Sequence, residues 1–145
     1  MKTFTRILLT ALSVAVLAGC TSTATSLPPA QSNPYGPQPG DTNMMRGGIR
    51  VDAASIRLAE SNPPQLFLDL AYFQPTPCYK LRVVTRQLDA QNRITLDAYA
   101  VAEKDKPCAL MALSTPLHAN LDLGSFPKGH YSVWLNGSKV GEFDS

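Results

Sequence analysis

From Gly48 onward the apolar residues return at every second position, a period of two that marks half-buried strands rather than helices. Ile56 and Leu58 predict a first strand near Ala53 to Glu60. Ser61-Asn62-Pro63-Pro64 then turns the chain, because proline blocks helix and Asn-Pro starts turns. Leu66, Leu68, Leu70 and Tyr72 alternate through a second strand that stops at Pro75-Thr76-Pro77. Leu81, Val83 and Thr85 predict the inner face of a third strand, with Lys80, Arg82, Val84 and Arg86 on its outer face. After a turn at Asp89 to Asn92, Ile94, Leu96, Ala98 and Ala100 line a fourth strand, and Leu117, Ala119, Leu121 and Leu123 a fifth. Ala109 to Ala112, between them, fits a helical turn as well as a loop. Tyr131, Val133 and Leu135 lie on one face of a sixth strand from Gly129 to Asn136. Asn136-Gly137, a strong hairpin signal, returns the chain as a seventh strand from Lys139 to Phe143. Seven short strands with frequent turns predict an all-β, antiparallel β-sandwich as a single domain over residues 49–145.

The first 48 residues follow other rules. Lys2 and Arg6 precede an apolar run from Ile7 to Ala18, about half the roughly 20 residues needed to span a bilayer, which is the pattern of a secretory signal. Leu17-Ala18-Gly19-Cys20 resembles the cleavage site of a bacterial lipoprotein signal. The resemblance implies removal of residues 1–19 and lipidation of Cys20 with a diacylglyceryl group and usually an N-acyl chain such as palmitate. Two or more chains give stable anchoring. Thr21 stands where an Asp tends to retain lipoproteins in the inner membrane, so in a Gram-negative host the resemblance implies the outer membrane. The lipoprotein would then face the periplasm or the cell surface. The alternative is an ordinary secretory signal that happens to end in a cysteine. From residue 20 to 48 the chain is rich in Thr, Ser, Pro, Gly, Gln and Asn, and this composition predicts a disordered tether. Tyr35, Met44 and Met45 are its notable apolar groups.

Charge narrows the partners. The chain has 13 Lys and Arg against 11 Asp and Glu. Loss of Lys2 and Arg6 with the signal would leave a neutral mature protein, without the basic footprint of a nucleic-acid binder. With Cys20 taken by lipid, Cys78 and Cys108 remain as an even pair in an oxidising compartment, which predicts a disulfide. Two buried free thiols are the alternative. A metal site lacks ligands, since neither His118 nor His130 is spaced to join the cysteines. If consecutive strands run antiparallel, the second-to-third and fourth-to-fifth connections share one end of the sandwich, so the bridge would clip two neighbouring loops.

The stretch Gly124 to Gly137 resembles the end of immunoglobulin-like and fibronectin-like domains of secreted bacterial proteins, and the likeness extends loosely over Val51 to Asp144. It implies a tyrosine corner at Tyr131, with the hydroxyl bonded back to the preceding loop. It also makes the third and sixth strands neighbours, placing Lys80, Arg82 and Arg86 beside Trp134 as a surface suited to a sugar ring or an anionic group. A tryptophan covered by arginine stems as ordinary surface packing is the plainer reading.

Signs of catalysis are sparse: the chain has no Gly-x-Ser-x-Gly elbow, no His-Glu-x-x-His and no phosphate-binding glycine loop. His118 and His130 read as solvated surface groups. No catalytic residue, metal site or cofactor is expected. The bridged loops, Gln74 to Tyr79 and Lys104 to Met111, form a second candidate surface, since rigid scaffolds often present function on loops. Together these readings predict a lipid-anchored, non-catalytic cell-envelope protein that offers a disulfide-clipped sandwich to a protein or polysaccharide partner. The alternative is a small inhibitor of an envelope protease or lysozyme.

Overall fold

The computed structural model describes residues 33–111 and 113–145. The signal segment and Cys20 lie outside the described residues. Eight strands follow a short 3₁₀ turn at Pro39–Asn43: β1 (Met44–Gly47), β2 (Arg50–Ala59), β3 (Gln65–Phe73), β4 (Lys80–Thr85), β5 (Arg93–Glu103), β6 (Leu117–Gly124), β7 (His130–Leu135) and β8 (Ser138–Asp144). They form two sheets, one of β2-β3-β6 and one of β1, β4, β5, β7 and β8. The alternation read from the sequence supplies the core between them. Leu66, Leu68, Leu70 and Tyr72 from β3 and Ala119 and Leu121 from β6 meet Leu81, Val83, Ile94, Leu96, Tyr131, Val133, Leu135 and Phe143. Period-two burial therefore decides the fold, as expected of a β-sandwich. Thr85, expected inside, is exposed at the end of β4, and Ala109 to Met111 forms no helix.

Pairing departs from an all-antiparallel sandwich at one place, because β5 and β7 run parallel, with Arg93 opposite Ser132 and Leu96 opposite Leu135. β5 is long, and β4 covers Leu96 to Val101 along one edge, so β7 and β1 share the other. β7 takes the first half of that edge and β1 the second. Asn136 fills the interval: its main-chain N–H donates to the Leu96 carbonyl, its side-chain oxygen accepts from Ala98 N–H, and its side-chain amide donates to the Ala98 carbonyl. The polar main chain between two short partners is thus satisfied by one residue, through its main chain at Leu96 and its side chain at Ala98. Asn136 and Gly137 both have positive φ, 49° and 83°, which is the backbone of a type I′ turn.

The described part of the expected tether, residues 33–48, is folded onto the domain. Val83 N–H donates to the Tyr35 carbonyl at 2.7 Å along the outer edge of β4, and the Tyr35 ring packs against the core. The chain then crosses the outer face of β4 and β5, where Asp41 accepts from Arg82, and reaches the far edge of β5 as β1. Proline and glycine did not prevent this, since an extended strap needs only main-chain partners and a few anchors. The domain therefore begins before residue 49.

Candidate functional site

Cys78 and Cys108 are joined, with Cα atoms 6.0 Å apart, and the bond links the β3–β4 and β5–β6 connections as the topology required. Thr76 Oγ1 lies 3.1 Å from the Cys108 sulfur. Beside the bridge opens a cleft of about 410 Å³, lined by Met44, Met45, Pro77, Tyr79, Val101 and Ala102 among others. The strap supplies the methionines and the ends of β4 and β5 supply the floor. Lys80, Lys104 and Lys106 stand on its rim with Glu103, whose carboxylate is 3.5 Å from Lys106. Leu110 also borders the cleft, whose apolar groups are open to solvent: Met45 is 45% exposed, Leu110 93% and the adjoining Met111 62%. Exposed large apolar groups gathered at one place mark contact sites more often than scattered ones do.

The other predicted surface is not assembled. Arg82 is buried, because the strap lies over it. Its Nε and Nη2 donate to the two Asp41 carboxylate oxygens at 2.7 and 3.1 Å, and Nη1 donates to the Leu81 carbonyl at 3.0 Å. The bidentate bond to Arg82, with a further bond from Gln38 N–H, holds the Asp41 carboxyl below its ordinary range. Arg86 is spent on Asp97. Trp134, half-buried, donates to Ser132 Oγ at 3.1 Å and stands opposite Thr95 of β5, which separates it from β4. Of the predicted row only Lys80 reaches the cleft. β5 lies between β4 and β7 and so keeps the third and sixth predicted strands apart.

Sequence reasoning missed two features. Arg46 lies 3.7 Å over the Tyr99 ring, Arg50 4.1 Å over Phe73 and Arg57 4.9 Å over Phe67, so arginines cover aromatic rings on both outer sheet faces. Phe67 and Phe73 share the outward parity of β3, a signal present in the alternation. The contribution of Met44 and Met45 to the cleft had no such signal, because β1 is too short to alternate.

Both histidines are exposed, and His130 Nδ1 lies 2.8 Å from Asp144. Tyr131 Oη donates to the Pro127 carbonyl at 2.9 Å, which is the corner implied by the resemblance.

A family model described as the ORF11 beta-sandwich domain matches residues 68–145, from within β3 to the C-terminus. Both bridged cysteines fall inside that span. No curated protein and no solved structure matches the chain.

Proposed function

The chain belongs to the ORF11 beta-sandwich domain family, and on that frame we propose a lipid-anchored, non-catalytic contact module of the cell envelope. Its clipped end is the contact surface. Cys20 carries the lipid, and in a Gram-negative host the module sits at the outer membrane. The supporting observation is the apolar cleft beside the Cys78–Cys108 bridge, whose lining residues Met45 and Leu110, with Met111 next to them, are exposed. The bridge fixes two loops before any partner arrives, so less ordering entropy opposes binding.

A photoreactive amino acid at Met45 or Leu110, irradiated in living cells, is expected to give a discrete adduct. The same probe at Leu58, exposed on β2, is expected to give none. Equal labelling at the three positions refutes the contact surface. The mass of the purified mature protein tests the anchor independently, and an unmodified Cys20 refutes it.

The inhibitor reading has one observation in its favour: Leu110 stands on a loop pinned by a disulfide, a form suited to blocking a hydrolase cleft. Loss of lysozyme or envelope protease activity on adding the purified protein would support it.

A further inference from the structure

We propose that the clipped end docks on an anionic phospholipid bilayer, with Met45, Leu110 and Met111 entering the interfacial layer and Lys80, Lys104 and Lys106 meeting lipid phosphates. The inference rests on the contact-surface reading above and names its partner. Three observations carry it.

The first is where apolar surface is exposed. Six large hydrophobic residues are exposed among those described, and Met45, Leu110 and Met111 are three of them. Leu110 and Met111 are neighbours on the bridged loop; Leu110 borders the cleft with Met45, yet at 93% exposure it stands out from the fold rather than filling the cleft. A groove built for a peptide keeps its apolar groups on concave walls, whereas groups that stand clear of the fold suit a soft, deformable phase. Methionine and leucine are unbranched at Cβ and adapt to such a phase readily.

The second is charge. Lys80, Lys104 and Lys106 surround these groups against the carboxylates of Glu103 and Asp105, and Glu103 is already beside Lys106. The local balance favours an anionic surface. A lysine near such a surface gains about five-fold in partitioning.

The third is where the chain enters. Pro34 and Tyr35 lie against Gln74, Tyr79 and Lys80, at the same end as the bridge. The steps from Cys20 to Asn33 span at most about 45 Å when fully extended. A chain anchored at Cys20 therefore joins the domain at this end and holds it within reach of the bilayer. The anchor also raises the local concentration of lipid into the millimolar range, so weak intrinsic docking suffices for occupancy.

The test is flotation, at the millimolar lipid that the anchor would supply, of the full mature chain carrying Cys20→Ser, which removes the acyl anchor, with phosphatidylcholine vesicles that contain or lack phosphatidylglycerol. Binding to the anionic vesicles is expected, weakening by at least about tenfold in the Leu110→Ser/Met111→Ser double variant. Lys104→Gln and Lys106→Gln should each weaken it by about five-fold, and added salt should weaken it further. Leu58→Ser, at an exposed residue of β2, should bind as the parent does, and all these variants should keep the parental melting temperature. Binding indifferent to phosphatidylglycerol, or unaffected by the double variant, overturns the proposal. If vesicles do not bind while the photoprobe at Leu110 still captures a protein or polysaccharide, docking on lipid falls and the contact-surface reading stands. If neither is seen, both fall.

Discussion

The two ends of the sandwich are closed by different means. At the end where β6 runs into β7, Phe126, Tyr131 and Phe143 pack together with ring centroids 5.2 to 5.8 Å apart, Tyr131 stacked on Phe143 and Phe126 edge-on or tilted to both. The Tyr131 hydroxyl ties the preceding loop down, and the C-terminal Ser145 exchanges main-chain bonds with Gly129 while its hydroxyl donates to the Phe126 carbonyl. This end is closed by buried aromatic area and needs no covalent help. The opposite end has one covalent link and apolar side chains left in solvent. Apolar side chains left in solvent do not seal the domain, and the disulfide holds the loops instead.

The largest effect expected is at the aromatic end. Tyr131→Ala or Phe143→Ala removes a buried ring from the triad and should cost about 3 to 5 kcal/mol, read as a lowered urea midpoint with an unchanged slope. Tyr131→Phe keeps the ring and loses the corner bond, and should cost about 1 kcal/mol. If the two substitutions destabilise equally, the hydroxyl rather than the packing closes that end. The clipped end comes next. Replacing Cys78 and Cys108 by serine should cost roughly 3 to 4 kcal/mol in the chain-entropy model. Hydrogen exchange should quicken in Gln74 to Tyr79 and Lys104 to Met111 and remain slow around Tyr131. Uniform quickening across both ends would show that the bridge supports the whole fold rather than one end.

The strap answers to pH. The Asp41 carboxyl is held below its ordinary value by Arg82 and by Gln38 N–H, so it binds its proton less readily folded than unfolded. That stabilisation is fully present above the unfolded carboxyl's value of about 3.9 and is lost as pH falls through the lower folded value. Asp41→Asn should therefore flatten the acid side of the stability curve relative to the parent. A variant with the parent's acid slope would show that the Asp41–Arg82 contact is not formed in solution. The effect should be smaller than loss of the bridge, since the strap also holds through Tyr35 and β1.

Much of this contrast was legible beforehand. The inner faces of β3, β4, β5 and β7 follow directly from alternate leucine, valine, isoleucine and tyrosine, and the corner and the I′ turn follow from Tyr131 and Asn136-Gly137. The bridge followed from the topology and the parity of the cysteines. Alternation assigns a side chain to a face, however, and is silent about what later crosses that face. Arg82 was placed correctly on the outer side of its strand, yet it is buried because a distant segment with no periodicity lies over it. The same silence hid β1 and the methionines of the cleft, and it hid the parallel seat of β7, which depends on the length of β5 rather than on any local signal.

The smallest effect on stability should come from the residue that carries most of the contact argument. Leu110 is 93% exposed, so Leu110→Ser removes almost no buried area and should shift the unfolding free energy by no more than about 0.5 kcal/mol. A core leucine truncated to alanine, such as Leu68, which is fully buried, should cost about 2 to 5 kcal/mol by the same measurement. If Leu110→Ser proves as damaging as a core substitution, the loop folds down onto the cleft in solution. The clipped end would then be sealed by its own side chain, and the difference between the two ends would disappear. If stability is unchanged and capture at this end is lost, an exposed leucine held beside a disulfide is there for a partner and not for the fold.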